Sequence, residues 1–104
     1  MENVIRPPRL LSQAESIVES LTRQIIEFEK TIDECQEVGF RLVGAPDQST
    51  IHIERIQCEG GALLVFFGRN QDGREVRVLQ HASQVSVLLT ALPKIAEKAH
   101  RIGF

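Results

Sequence analysis

The chain contains no tryptophan and no tyrosine, one methionine and only two cysteines. Without tryptophan and tyrosine, the platforms that most often stack on bases and sugars are missing. Of the five phenylalanines, Phe28, Phe40, Phe66 and Phe67 stand inside apolar patterns and are assigned to the core. The string Leu63-Leu64-Val65-Phe66-Phe67-Gly68-Arg69 does not match the glycine-containing aromatic signature of an RNA-recognition sheet. Cys35 and Cys58 match no CxxC or zinc spacing, so two buried or half-buried free thiols are expected rather than a disulfide. No apolar run approaches the roughly 18 residues that span a bilayer. The opening Met-Glu-Asn-Val-Ile-Arg-Pro-Pro lacks the apolar centre of a secretion signal. A cytoplasmic protein with no membrane partner is the expectation.

Catalytic signatures are missing as well. There is no GxSxG, no phosphate-binding GxxxxGK[ST], no HExxH and no GxGxxG. A non-enzymatic protein with no cofactor, no metal and no catalytic residue is therefore expected. Lysine is scarce too, at three against nine arginines. A net charge of −2 with a pI near 5.9 argues against general nucleic-acid binding.

What is present describes one small globular domain. With 104 residues, 42% hydrophobic and 25% charged, the chain has enough apolar matter for a single core. Residues 1–11 read as a flexible arm because Pro7-Pro8 excludes helix there. Residues 12–104 read as a single α+β domain. Ser12-Gln13-Ala14-Glu15 is a capping box, in which hydroxyl and carboxylate each satisfy an orphan backbone donor. Ala14, Val18, Leu21, Ile25, Phe28, Ile32 and Cys35 then follow in steps of four and three, the spacing of a heptad seam. No glycine or proline interrupts the pattern before Gly39, so a helix of about 25 residues, roughly 37 Å long, is expected.

The period then changes to two. Phe40 and Leu42 form a first strand before the Gly44-Ala45-Pro46-Asp47 turn. Ile51 and Ile53, then Ile56 and Cys58, form a second, and the parity slip at Glu54-Arg55 predicts a bulge or a strand end. Gly60-Gly61 turns the chain into the apolar run of residues 62–67, and Asn70-Gln71-Asp72-Gly73 turns it again into Val76 and Val78. After His81-Ala82-Ser83 the pattern returns to helical, with Val85, Leu88, Leu89, Leu92, Ile95, Ala96 and Ala99 on one face and a kink or restart at Pro93. The expected fold is a four-stranded antiparallel sheet flanked by a long N-terminal helix and a C-terminal helix, in the order α-β-β-β-β-α.

Two uses fit the seam. A helix that outruns six- to eight-residue strands, which span about 20–27 Å, leaves Val18, Leu21, Ile25, Phe28 and Ile32 as a homodimer interface. Ile17 and Ile26 instead widen the stripe, as in a helix packed on its own sheet. Charge adds an orientation: residues 12–37 hold seven acids, whereas Lys94, Lys98 and Arg101 outnumber Glu97 near the end. Exposed pairs of this kind each contribute up to about 1 kcal/mol.

Few polar residues are candidates for chemistry. His52 stands two positions before Glu54, a spacing that puts both on one strand face as an acid/base couple or half a metal site. His81 lies at a strand-to-helix junction with Gln80, Ser83 and Gln84, where a helix N-terminus offers donors to an anion or is simply capped by Ser83 or His81. Arg41, Arg55, Arg69, Arg74 and Arg77 fall in the sheet region, where they either fork onto an anion or pair with the five acids of the same stretch. The strings Phe67-Gly68, Leu79-Gln80-His81-x-Ser83-Gln84, Leu88-Leu89 and Arg101-Ile102-Gly103-Phe104 resemble a family of small uncharacterised bacterial and phage-associated domains, mainly over residues 63–104. The resemblance implies no activity, but it singles out Gln80, His81, Ser83 and Gln84.

The expectation is a homodimeric, non-enzymatic interaction or binding module whose partner is itself or another protein. An alternative is a protein that binds or sequesters a nucleotide-like or other anion, using Gln80, His81, Ser83, Gln84, Arg69 and Arg77. A small enzyme built on His52/Glu54 or His81 is the third reading.

Overall fold

A computed structural model describes residues 11–102. The predicted arm, including Pro7-Pro8, lies outside the described residues apart from Leu11. Helix α1 spans Gln13–Glu29 and opens on the expected capping box. The Ser12 backbone N–H donates to Glu15 Oε1 at 3.0 Å, and the Glu15 N–H donates to Ser12 Oγ at 3.1 Å. Five strands follow, β1 (Gln36–Leu42), β2 (Ile51–Glu59), β3 (Leu63–Arg69), β4 (Glu75–His81) and β5 (Val87–Pro93), in one antiparallel sheet ordered β4-β3-β2-β1-β5.

The first four strands form the meander that the turns imply. Gly60 and Gly73 sit in the two tightest turns at φ +63° and +80°, a region that only glycine enters without a Cβ penalty. The parity slip is a bulge: the β2–β3 register shifts between Ile53 and Arg55. It returns Ile53 and Ile56 to the same face, and both are buried.

No C-terminal helix forms among the described residues. The residues expected in its first half make β5, a fifth strand paired along all of β1, from Gln36 with Pro93 to Leu42 with Val87. Val87 and Leu89 pack toward the core, while Leu88, Thr90 and Leu92 alternate with them. A run apolar on both faces satisfies a helical and a strand template alike; the open side of β1 decides between them. Pro93 ends an edge strand, where its missing N–H is tolerated.

Helix α1 is also shorter than expected, at 17 residues. The helix stops at Lys30, where Thr31 Oγ1 bonds back to the Phe28 carbonyl at 2.7 Å and Asp33 Oδ1 accepts from the Cys35 N–H at 2.8 Å. Val38, Phe40 and Leu42 claim the following residues for a strand. At about 25 Å, α1 matches a seven-residue strand of about 23 Å, and the overhang that argued for a second subunit is not there. Ile25 is 1% exposed, and Val18, Leu21, Phe28 and Ile32 pack around the same core. Cys35, expected on the seam, is exposed beyond the helix; Cys58 is half-buried.

Strands β4 and β5 run parallel at opposite edges, because each is an even number of antiparallel steps from β2. Five residues join them, three of them in the 3-10 turn Ala82–Gln84. Such a segment reaches about 16 Å. Crossing a flat five-strand sheet and returning along a strand would take more than twice that. The sheet therefore curls until the end of β4 meets the start of β5. Inside the curl lie Val38, Phe40, Ile51, Ile53, Ile56, Leu64 and Phe66, with Ala82 of the connecting turn. Phe40 and Phe66 stack at 4.3 Å between ring centroids and 26° between planes, worth about 0.5–1.5 kcal/mol beyond their burial. Helix α1 closes the core, with Ala14 fully buried and its N–H on the Gly61 carbonyl at 3.3 Å.

Candidate functional site

Strands β1 and β2 pair only at Gly39 with His52 and Phe40 with Ile51. Beyond those pairs the bulge carries β2 away, and the two strands fork. Glu37 and His52 stand at the fork, 5% and 7% exposed. The sheet brings them together across 15 residues: His52 Nδ1 lies 2.8 Å from Glu37 Oε1. With a carboxylate as acceptor, Nδ1 is the donating nitrogen. Glu37 Oε2 also accepts the backbone N–H of His100.

That second contact comes from residues 94–102. The chain leaves β5 with the Lys94 N–H on the Cys35 carbonyl at 3.0 Å and brings Ile95 close to Gly73. It then returns to Glu37 through His100. Arg101 bonds the carbonyls of Gln36 and Asp33, and the Ile102 N–H donates to Glu29 at 3.1 Å. Ile102 is 8% exposed and belongs to the core. The basic segment expected as a helix is thus an irregular strap, held to the chain between α1 and β1 through the carbonyls of Asp33, Cys35 and Gln36 and through the carboxylates of Glu29 and Glu37.

Strap and fork enclose a cavity of about 370 Å³ whose polar lining is Glu37, His52, Glu54, Arg69, Lys98 and His100, with Ile95 and Ala96 supplying apolar wall. The volume sits near the lower end of the range for small-molecule sites. Both carboxylates are already engaged. Glu37 is held by His52 and His100, and Glu54 by Arg69 Nε at 3.0 Å, while Arg69 also donates to the Gly73 carbonyl at 2.9 Å. Among the described residues no hydrogen bond or ion pair engages the Lys98 ammonium, the His100 ring or His52 Nε2, and Lys98 and His100 are exposed. No group of three His, Cys, Asp or Glu among the described residues is arranged to hold a metal ion.

The residues singled out from sequence are dispersed. Arg69 lines the cavity. Arg77 stands on the outer face of β4, beside Phe67. Gln80, His81, Ser83 and Gln84 lie at the far end of β4, where they satisfy one another: the Ser83 N–H donates to His81 Nδ1 at 3.1 Å, and Gln80 Nε2 donates to the Gln84 carbonyl at 3.2 Å. The helix whose N-terminus they would have capped is a three-residue 3-10 turn. His52 pairs with Glu37 rather than Glu54, since the bulge turns Glu54 to Arg69. No motif in the sequence marks Glu37 or His100. Glu37 looked like the end of an acidic helix, and no local signal ties residue 100 to residue 37.

A sequence model of one protein family matches residues 8–104, nearly the whole chain. No curated protein and no solved structure matches it.

Proposed function

Since the chain belongs to the Family of unknown function (DUF6173), which brings no activity with it, we propose from the geometry that it is a non-enzymatic binding domain for a small anionic molecule held in the cavity at the β1–β2 fork. One observation carries the reading. Both carboxylates of the cavity are committed to partners within the protein, whereas Lys98, the His100 ring and His52 Nε2 are not. Among the described residues Lys98 is the cation of this lining that has no partner carboxylate. A carboxylate or phosphate group would take the Lys98 ammonium as a charge-assisted donor and a histidine ring N–H as a further donor, with Ile95 and Ala96 against its apolar part. Without a free stacking aromatic in the lining, the reading favours a compact anion over a whole nucleotide. The Arg69 predicted from sequence stays in this site as a wall braced by Glu54.

The test is a thermal-shift series with orthophosphate, acetate, citrate and a nucleoside monophosphate at millimolar concentration. Binding to the native state alone stabilises it by about 2.7 kcal/mol at 100 times Kd, a rise of roughly 10–20 °C for a domain of this size. Lys98→Glu, on the surface, should remove the rise and leave the unliganded midpoint in place. A flat response to every anion, or a rise untouched by Lys98→Glu, would overturn the reading.

A further inference from the structure

A second surface lies on the outer face of the sheet, next to the fork, with Glu54 bordering both. In one cross-strand row stand Arg55 of β2, Phe67 of β3 and Arg77 of β4. The guanidinium carbons lie 4.0 Å (Arg55) and 4.8 Å (Arg77) from the centroid of the Phe67 ring. Both arginines are exposed, and among the described residues neither forms an ion pair. Arg41 and Arg69, by contrast, are paired with Asp47 and Glu54. Stacking on the ring holds each guanidinium in place while its N–H edges stay open. In the next row, Leu79 is 57% exposed beside Val65. β4 is the terminal strand, hydrogen-bonded to β3 and, among the described residues, to no strand on its other side.

We propose that the free edge of β4, with Glu75, Arg77 and Leu79 facing outward along it, docks an extended segment of mixed charge from a partner protein by strand addition. An added strand extends each row by one residue, whose side chain stands about 5 Å from its neighbour on β4. Beside Arg77 that residue is a carboxylate, reinforced by Arg55 across the ring. Beside Leu79 it is apolar, and beside Glu75 it is basic. In the antiparallel direction the recognised pattern is apolar-x-acidic-x-basic. Charge complementarity selects this occupant over a nucleic acid: Glu75 stands two residues from Arg77 on the same edge and would oppose a phosphate backbone, and the guanidiniums of Arg55 and Arg77 lie over the Phe67 ring where a base would stack.

The experiment titrates the full chain into a fluorescein-labelled peptide, Thr-Val-Thr-Glu-Thr-Lys-Thr, by fluorescence anisotropy, and maps amide shifts by NMR. Saturable binding is expected, with shifts along β4, a loss of about tenfold on Arg77→Glu, and abolition when the edge-facing amides of the peptide are N-methylated. Circular dichroism confirms that the exposed Arg77→Glu change leaves the fold intact. Any of five results would overturn the proposal: no binding; equal binding of the peptide with Glu and Lys exchanged; no effect of Arg77→Glu; tighter binding of a ten-nucleotide oligothymidine; or a dimer of the chain alone that Arg77→Glu disperses, which would give the edge to a second copy.

Discussion

Replacing Glu37 by alanine tests the fork most directly. The carboxylate accepts two hydrogen bonds, from His52 Nδ1 and from the His100 backbone, inside a site where it and His52 are 5% and 7% exposed. A hydrogen bond to a charged group contributes about 1.5–3 kcal/mol. Removing one partner of a buried pair strands the other, at about 3–5 kcal/mol in all. For a domain whose total stability is about 5–15 kcal/mol, that is about a fifth or more. Urea unfolding followed by circular dichroism should show the midpoint falling with the slope unchanged. Glu37→Gln, which keeps one acceptor oxygen, should lose about half as much. The decisive number is the coupling with His52→Ala: the double variant should be more stable than the sum of the single losses implies, by about 1.5 kcal/mol or more. A loss below about 1 kcal/mol for Glu37→Ala, or additive singles, would refute the idea that this pair holds the fork and strap together.

Two buried glycines should behave differently. A Cβ on Gly68 would stand 2.4 Å from the His52 carbonyl oxygen, which cannot move without the sheet, so Gly68→Ala should cost about 3 kcal/mol or more in chemical denaturation. A Cβ on Gly39 meets the Leu92 side chain at 2.5 Å and Thr90 Cγ2 at 2.9 Å; Gly39→Ala should cost about 1–3 kcal/mol, and Leu92→Ala in the same chain should restore part of it. Ser12→Ala removes the acceptor for the Glu15 N–H and should lower stability by about 1 kcal/mol in the same assay. Ellman's reagent on the native chain should modify one thiol at once, the exposed Cys35, and the half-buried Cys58 more slowly; equal rates would contradict the burial described.

What could be read from sequence was local. The capping box is four consecutive residues, the turns at Gly60 and Gly73 announce themselves by composition, and the bulge shows as a parity slip within one strand. What could not be read depends on distant partners. The stripe continues through Ile32 and Cys35 at helical spacing, yet Val38, Phe40 and Leu42 begin a strand there because β2 and β5 flank it. Residues 85–92 satisfy two periods at once, and the vacant side of β1 chooses the strand. The site is hidden for the same reason: Glu37, His52 and His100 meet through a hairpin register and a returning strap, so only the His52, Glu54 and Arg69 corners of the cavity are legible in the sequence. His81 and Ser83 were noticed for their junction, which proved to be occupied with its own capping.

The pairing of β5 with β1 sets an order of events during synthesis. Their partner residues lie 45 to 57 positions apart in the chain, and Ile102, the last described residue, belongs to the core. A growing chain can complete the β2–β3 and β3–β4 hairpins early, but until β5 arrives β1 has one bare, strongly apolar edge and α1 has an incomplete surface to cover. Contacts this distant make folding slow, and an unpaired strand edge in the interval is where chains adhere to one another. Truncations within the last fifteen residues should therefore show themselves as aggregation of newly made protein rather than as a mild loss of stability.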